Sequence, residues 1–130
     1  MGGYPGHRSW FEQGANTLWE KWEYDRKDDS KNHQMYSDVM SWMVKTILGI
    51  RQEADSTGFA KVCIEPYFFE ELSFAKGSCV SCNGKVGVSW ERRNGGIQVL
   101  IEVPEGMTAV FGSGDKPAEL AAGNYSFWVK

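Results

Sequence analysis

At 130 residues the chain is long enough for one ordinary domain, or for a small domain with an appendage. Hydrophobic residues at 42% and charged residues at 24% are the proportions of a globular protein. The 14 basic and 17 acidic residues leave a net charge of −3, without the basic excess that neutralising phosphates demands, which argues against nucleic acid as a partner.

No apolar run approaches the length that spans a bilayer, so no membrane partner is expected. The first ten residues, MGGYPGHRSW, lack the charged-then-apolar pattern of a secretory signal, and the default expectation for localisation is the cytoplasm. In chain order, Trp10, Phe11, Ala15, Leu18, Trp19 and Trp22 recur at near-helical spacing and predict a helix from Ser9 to about Trp22. Ser9 is placed to cap it. Gly14 falls inside it, at a cost of about 1 kcal/mol relative to Ala, as where another group packs closely on the backbone. Residues Glu23 to Lys31 read as a charged, solvated link. A second helix follows. Ser37 is its candidate cap, Asp38 suits its first turn, and Val39, Met40, Met43, Val44, Ile47 and Leu48 form its apolar stripe. Gly49 is placed to end it.

After about Ser56 the apolar period changes from helical to two. Val62 and Ile64 alternate with Lys61 and Cys63 up to Pro66, and Phe74 lies in another short strand. Asn83-Gly84 turns into Val86, Val88 and Trp90, which share one face. Asn94-Gly95-Gly96 turns into Ile97, Val99, Ile101 and Val103, again one face. Pro104-Glu105-Gly106 precedes a strand from Thr108 to Phe111, and Ala122-Gly123-Asn124 precedes the last, Tyr125 to Val129. The expected fold class is α+β: an N-terminal helical pair over residues 1–50, then an antiparallel β-sandwich of about seven short strands over residues 51–130. Two such wide apolar helix faces need more partners than each other, so they call for self-association into a homo-oligomer or for further protein to cover them.

The three cysteines are too few for a disulfide framework. Cys79-Val80-Ser81-Cys82 has the spacing of a metal or redox pair, but it runs into a hairpin turn, and on a strand its two thiols point to opposite faces. Structural zinc takes four ligands, and the two histidines lie far away in sequence, so no metal or cofactor is expected. Two places stand out for chemistry. In Gly14-Ala15-Asn16-Thr17-Leu18-Trp19-Glu20-Lys21-Trp22 a carboxylate is framed by indoles, a partly desolvated setting that suits proton transfer. Asn32-His33 places a hydrogen-bonding ring at the mouth of the second helix. Taken alone, a helical Glu is usually a solvated residue and a lone His usually structural.

Order and spacing add a resemblance. Tyr4-Pro5, Glu12-Gln13 followed by the glycine-to-tryptophan string above, Ser30-Lys31-Asn32-His33, Trp42 and Leu48-Gly49-Ile50 together resemble the end of the catalytic domain of bacterial-type α-L-rhamnosidases. The likeness continues through Gly58 to Pro66, Gly84-Lys85-Val86, Ser89-Trp90-Glu91-Arg92 and the closing Ala122 to Phe127. The resemblance implies the last helices of an (α/α)₆ barrel followed by a C-terminal β-sandwich that does no chemistry. It implies hydrolysis of terminal α-L-rhamnose with inversion, which needs two carboxyls roughly 6.5–9.5 Å apart. Glu20 falls on the family's general base and His33 on a histidine that contacts rhamnose; Trp19 and Trp22 are placed to shape the pocket. The acid-bearing stretch of the family has no counterpart in these residues, Asn16 stands where a Thr is usual, and Gly6 to Trp10 departs from the family's run.

The resemblance thus implies a C-terminal fragment of an α-L-rhamnosidase, inactive alone, with a rhamnose-containing glycan as the substrate of the parent enzyme. Two alternatives stay open from the residues: a non-catalytic carbohydrate-binding module, suggested by six Trp, seven Phe and five Tyr, and a self-associating interaction module.

Overall fold

The structure, a computed structural model, describes residues 6–22, 29–112 and 117–130. The chain divides into two compact units, Met1–Ser41 and Trp42–Lys130. Tyr4-Pro5 and most of the charged link after Trp22 lie outside the described residues.

In the first unit, helix α1 covers only His7–Glu12. The helix predicted through Trp22 stops early because Gly14 takes a left-handed backbone, φ +79. The Ala15 amide donates to the Trp10 carbonyl at 2.9 Å and the Gly14 amide to the Phe11 carbonyl at 3.0 Å. This pair of bonds is the Schellman stop, with glycine at the residue past the cap. Nothing lies within 4 Å of where a Gly14 Cβ would be, so backbone freedom and not close packing explains this glycine. Nor does Ser9 cap α1: Gly6 occupies that position without a side-chain cap, and the Ser9 hydroxyl donates back to the Gly6 carbonyl at 2.7 Å. Beyond α1 the chain folds back on itself. Trp10 and Trp19 are buried, and Trp22 stacks on Trp10 with ring centroids 4.4 Å apart.

The second predicted helix is broken into pieces. A 3₁₀ turn over Gln34–Tyr36 is capped by His33, α2 runs Asp38–Trp42, and a π-helical turn follows over Met43–Ile47. Ser37 closes the 3₁₀ turn, its hydroxyl donating to the Gln34 carbonyl at 2.7 Å, and directly precedes α2. Gly49 ends the run as expected, at φ +71. A Cβ there would collide with the Glu65–Pro66 backbone, and the Glu65 amide donates to the Gly49 carbonyl at 3.0 Å.

The second unit is a sandwich of two four-stranded sheets. The strands are β1 (Ile50–Gln52), β2 (Lys61–Ile64), β3 (Phe74–Ser81), β4 (Gly84–Arg93), β5 (Gly96–Val103), β6 (Thr108–Phe111), β7 (Ala118–Leu120) and β8 (Gly123–Val129). One sheet has the order β3-β4-β5-β8 and is antiparallel throughout; the other has the order β1-β2-β6-β7. Here β2 and β6 pair parallel, Val62 opposite Ala109, where an all-antiparallel sandwich was expected. The reason is topological: after β2 the chain crosses to the other sheet for β3, β4 and β5 and re-enters beside β2 in the same direction. The two strands not predicted, β1 and β7, are three residues each, too short to show a period.

The predicted inward faces form the core. Val62 and Ile64 from one sheet meet Val86, Val88, Trp90, Val99 and Ile101 from the other, all at most 2% exposed. Trp90, though buried, satisfies its indole N–H on the Ile47 carbonyl at 2.9 Å. No helix among the described residues is long and apolar enough to cross a membrane. The result is a short helical N-terminal part followed by a β-sandwich, the α+β class expected.

Candidate functional site

The chemistry-bearing residues singled out in the sequence fall in the first unit, on two irregular segments that pair. The Glu20 amide donates to the Ser30 carbonyl at 2.9 Å, and the His33 amide to the Leu18 carbonyl at 2.7 Å. The Thr17 hydroxyl reaches the Lys31 carbonyl. Residues 17–22 and 29–33 therefore run side by side, although neither segment is a regular strand. The Gly14 stop makes this possible; a helix through Trp22 would have satisfied those amides internally.

Glu20 is half-buried. Its carboxylate accepts the Ser30 amide at 3.1 Å, so Glu20 and Ser30 clasp each other through one backbone and one side-chain bond. Such an amide fixes the direction of a carboxylate while leaving lone pairs free to accept a further proton donor. His33 is half-buried too, and its Nδ1 accepts the Met35 amide at 3.3 Å. That bond makes Nδ1 the acceptor and leaves Nε2 as the proton-bearing nitrogen of the neutral ring.

The tryptophans of the same unit pack on one another and on the two paired segments. Trp19 is 5% exposed, with the Lys31 ammonium 4.4 Å above its ring. Trp10, 2% exposed, donates its indole N–H to the Lys21 carbonyl at 2.8 Å. His7 meets Trp10 and Trp22 edge-on, each with centroids 5.3 Å apart. Lys21 in turn pairs with Asp29 at 2.8 Å, tying the second segment to the first. Sequence reasoning missed Ser30, Lys31 and His7 as parts of this assembly. Ser30 stood within the quoted motif, but the clasp on Glu20 depends on a chain reversal that spacing does not encode.

The cysteines do not gather. Cys79 lies on β3 against the core, whereas Cys82 is exposed in the following turn, and all three thiols are free. Among the described residues no group of three or more His, Cys, Asp or Glu side chains is placed to hold a metal ion.

Comparison with known proteins decides the family. The pattern of the bacterial alpha-L-rhamnosidase C-terminal domain matches residues 49–117, more than half of the chain. The chain belongs to the bacterial α-L-rhamnosidase family. The pattern of the family's 6-hairpin glycosidase domain matches residues 2–47, which hold the paired segments of Glu20 and His33, while the C-terminal pattern takes in strands β1 to β6 of the sandwich. An α-L-rhamnosidase of Alteromonas sp. (strain LOR) is 33% identical over 79% of this chain, and one of Streptomyces avermitilis is 31% identical over 82%. The chain spans only 12% and 10% of the length of those relatives. It corresponds to a C-terminal piece of an α-L-rhamnosidase. Among solved structures, the Streptomyces avermitilis α-L-rhamnosidase complexed with L-rhamnose aligns over 98% of this chain and 15% of its own, with a TM-score of 0.73 and 26% identity.

Proposed function

We propose that this chain supplies the general base and part of the sugar pocket of an inverting α-L-rhamnosidase acting on terminal α-L-rhamnose of a rhamnose-containing glycan. In this reading residues 1–50 complete a glycosidase barrel and residues 51–130 are its non-catalytic sandwich. The observation that carries the reading is the pairing of segments 17–22 and 29–33, which brings Glu20 and His33 onto one small frame with the Glu20 carboxylate aimed by the Ser30 amide. Inversion needs a base that holds a water on one side of the glycosidic bond and an acid that protonates the leaving oxygen on the other. Glu20 takes the proton of that water. His33 offers Nε2–H to a sugar hydroxyl, and Trp19 and Trp22 keep the base in place from behind. The acid belongs to the part of the glycosidase domain not represented in residues 2–47.

Exposed apolar side chains support the same view. Phe11, Met35 and Met40 in the first unit and Trp42 and Met43 in the second are open to solvent, as surfaces are that a larger domain or a second copy covers. The test is hydrolysis of an aryl α-L-rhamnoside. The 130-residue chain is expected to give no turnover, whereas joined to a complete glycosidase domain it releases the β-anomer first, as seen by proton NMR. In that longer protein Glu20→Gln is expected to lower kcat by about 10²–10⁴-fold. Turnover by the isolated chain that disappears in Glu20→Gln would overturn the reading.

A further inference from the structure

The outer face of the β3-β4-β5-β8 sheet plays no part in that reading. Its register sets Phe74, Glu91, Gln98 and Trp128 in a single row across the four strands, one residue from each. All four point away from the core, since their strand neighbours Ala75, Trp90, Val99 and Phe127 pack inward. The row is aromatic at both ends and polar in the middle. Phe74 is 66% exposed and Trp128 50% exposed. Three inter-strand steps separate them, roughly 14 Å. Two shallow depressions, of 300 and 380 Å³, lie on this face and adjoin at Lys76, Ser89 and Leu100. Small residues, Ser89 and Gly87, keep the floor low.

Trp128 packs beside Gly96: a Cβ on Gly96 would sit 2.7 Å from the indole Nε1 and 2.9 Å from Cε2, so the absence of a side chain there leaves room for the ring, half of which stays exposed. In the middle of the row, Glu91 is neutralised by Arg93 at 2.8 Å, and the Gln98 amide donates to the Ser126 hydroxyl at 3.5 Å. The row thus offers two exposed aromatic rings with a charge-balanced strip of hydrogen-bonding groups between. A protein-binding surface has the reverse pattern along such a line, an apolar centre within a polar rim. Sugars present apolar C–H faces flanked by hydroxyl edges, and they match this order: ring faces on the aromatics, hydroxyls on the carboxylate and amide.

We propose that this row is a carbohydrate-binding subsite that holds a neutral oligosaccharide across the strands, outside the hydrolytic site. The choice of rhamnose as the probe sugar rests on the proposed function; the subsite itself does not. In the experiment the 130-residue chain, labelled with ¹⁵N, is titrated with a linear tetrasaccharide of α-linked L-rhamnose, with L-rhamnose itself and with cellotetraose. The expected result is saturable binding of the tetrarhamnoside with amide shifts centred on residues 74, 91, 98 and 128. The monosaccharide, which engages one platform only, binds at least about tenfold more weakly. Trp128→Ala and Phe74→Ala each weaken binding about tenfold or more. Phe74 is the more exposed of the two, so its variant keeps the test decisive should Trp128→Ala unfold the sheet. Equal binding of cellotetraose with the same shifts would support the subsite and count against rhamnose as its sugar. No saturation with either tetrasaccharide, shifts confined to residues 17–33, or wild-type binding by both variants would overturn the proposal. Because the proposed function is read from turnover in a longer protein, its success or failure is scored separately.

Discussion

Two glycines show how differently one backbone conformation can be used. Gly14 and Gly49 both take left-handed φ, at +79 and +71, and both end a helical run. Around Gly14 the space is open, so Gly14→Ala meets only the intrinsic cost of a left-handed alanine, about 1 kcal/mol. At Gly49 the added methyl also drives into the Glu65–Pro66 backbone, which raises the expected loss to about 3 kcal/mol or more. Urea unfolding of the two variants, followed by far-ultraviolet circular dichroism, checks the contrast; equal midpoints would contradict it. The same pair explains what was legible at this scale. Gly49 was readable as a stop because the apolar stripe ends on it. Gly14 was not, because the tryptophans beyond it continue a helical spacing by coincidence: Trp19 and Trp22 return to Trp10 through ring contacts after the chain has folded back.

Among the elements, the strands were the easier to read, since each long one buries a single face and so writes its period into the sequence. Val86, Val88 and Trp90 on β4 and Ile97 to Val103 on β5 show this directly. The segment between β2 and β3 carries no such period, and it is shaped instead by one side chain. Arg92 at the end of β4 donates its Nη2 to the Phe68 and Phe69 carbonyls at 2.9 and 3.1 Å and its Nε to the Leu72 carbonyl at 3.0 Å. A guanidinium presents its donors in a planar fork, so one residue gathers three carbonyls that no strand partner takes up. Arg92→Met keeps the length and removes the donors. The expected outcome is faster hydrogen exchange through residues 67–73 and a stability loss of about 1–3 kcal/mol. Unchanged exchange in that segment would show that its conformation is held by packing, such as the edge-on contact of Phe68 with Trp90, 5.3 Å between centroids. The candidate site was legible in the opposite way. Its residue identities, Glu20 and His33, stood out in a motif, but the segments that carry them meet through backbone pairing between irregular stretches that leave no periodic trace.

On the scale of the molecule, the two units differ in how they are held. The first is organised around a few indoles and a short run of backbone bonds, the second around a continuous aliphatic core with Trp90 at its centre. The fold class was readable because turns and period-two runs alternate through the second unit; the pairing of distant strands was not, since register between remote segments is settled only by the packed core. The parallel bond between β2 and β6 has a consequence in time. Residues 65–107 lie between those strands, so the sheet they share closes only after a long excursion of chain, whereas β3, β4 and β5 join through adjacent hairpins. Closing so long a loop costs entropy before any contact rewards it, and local hairpins are expected to form first. Val88→Ala, in the hairpin sheet, should therefore slow refolding, while Val62→Ala, in the late pair, should leave refolding near wild type and speed unfolding. Stopped-flow denaturant kinetics would refute this order if Val62→Ala slowed refolding as much as Val88→Ala does. Until β6 arrives, β2 has a bare edge, and a newly made chain passes through an interval in which that edge is open to pairing with other chains.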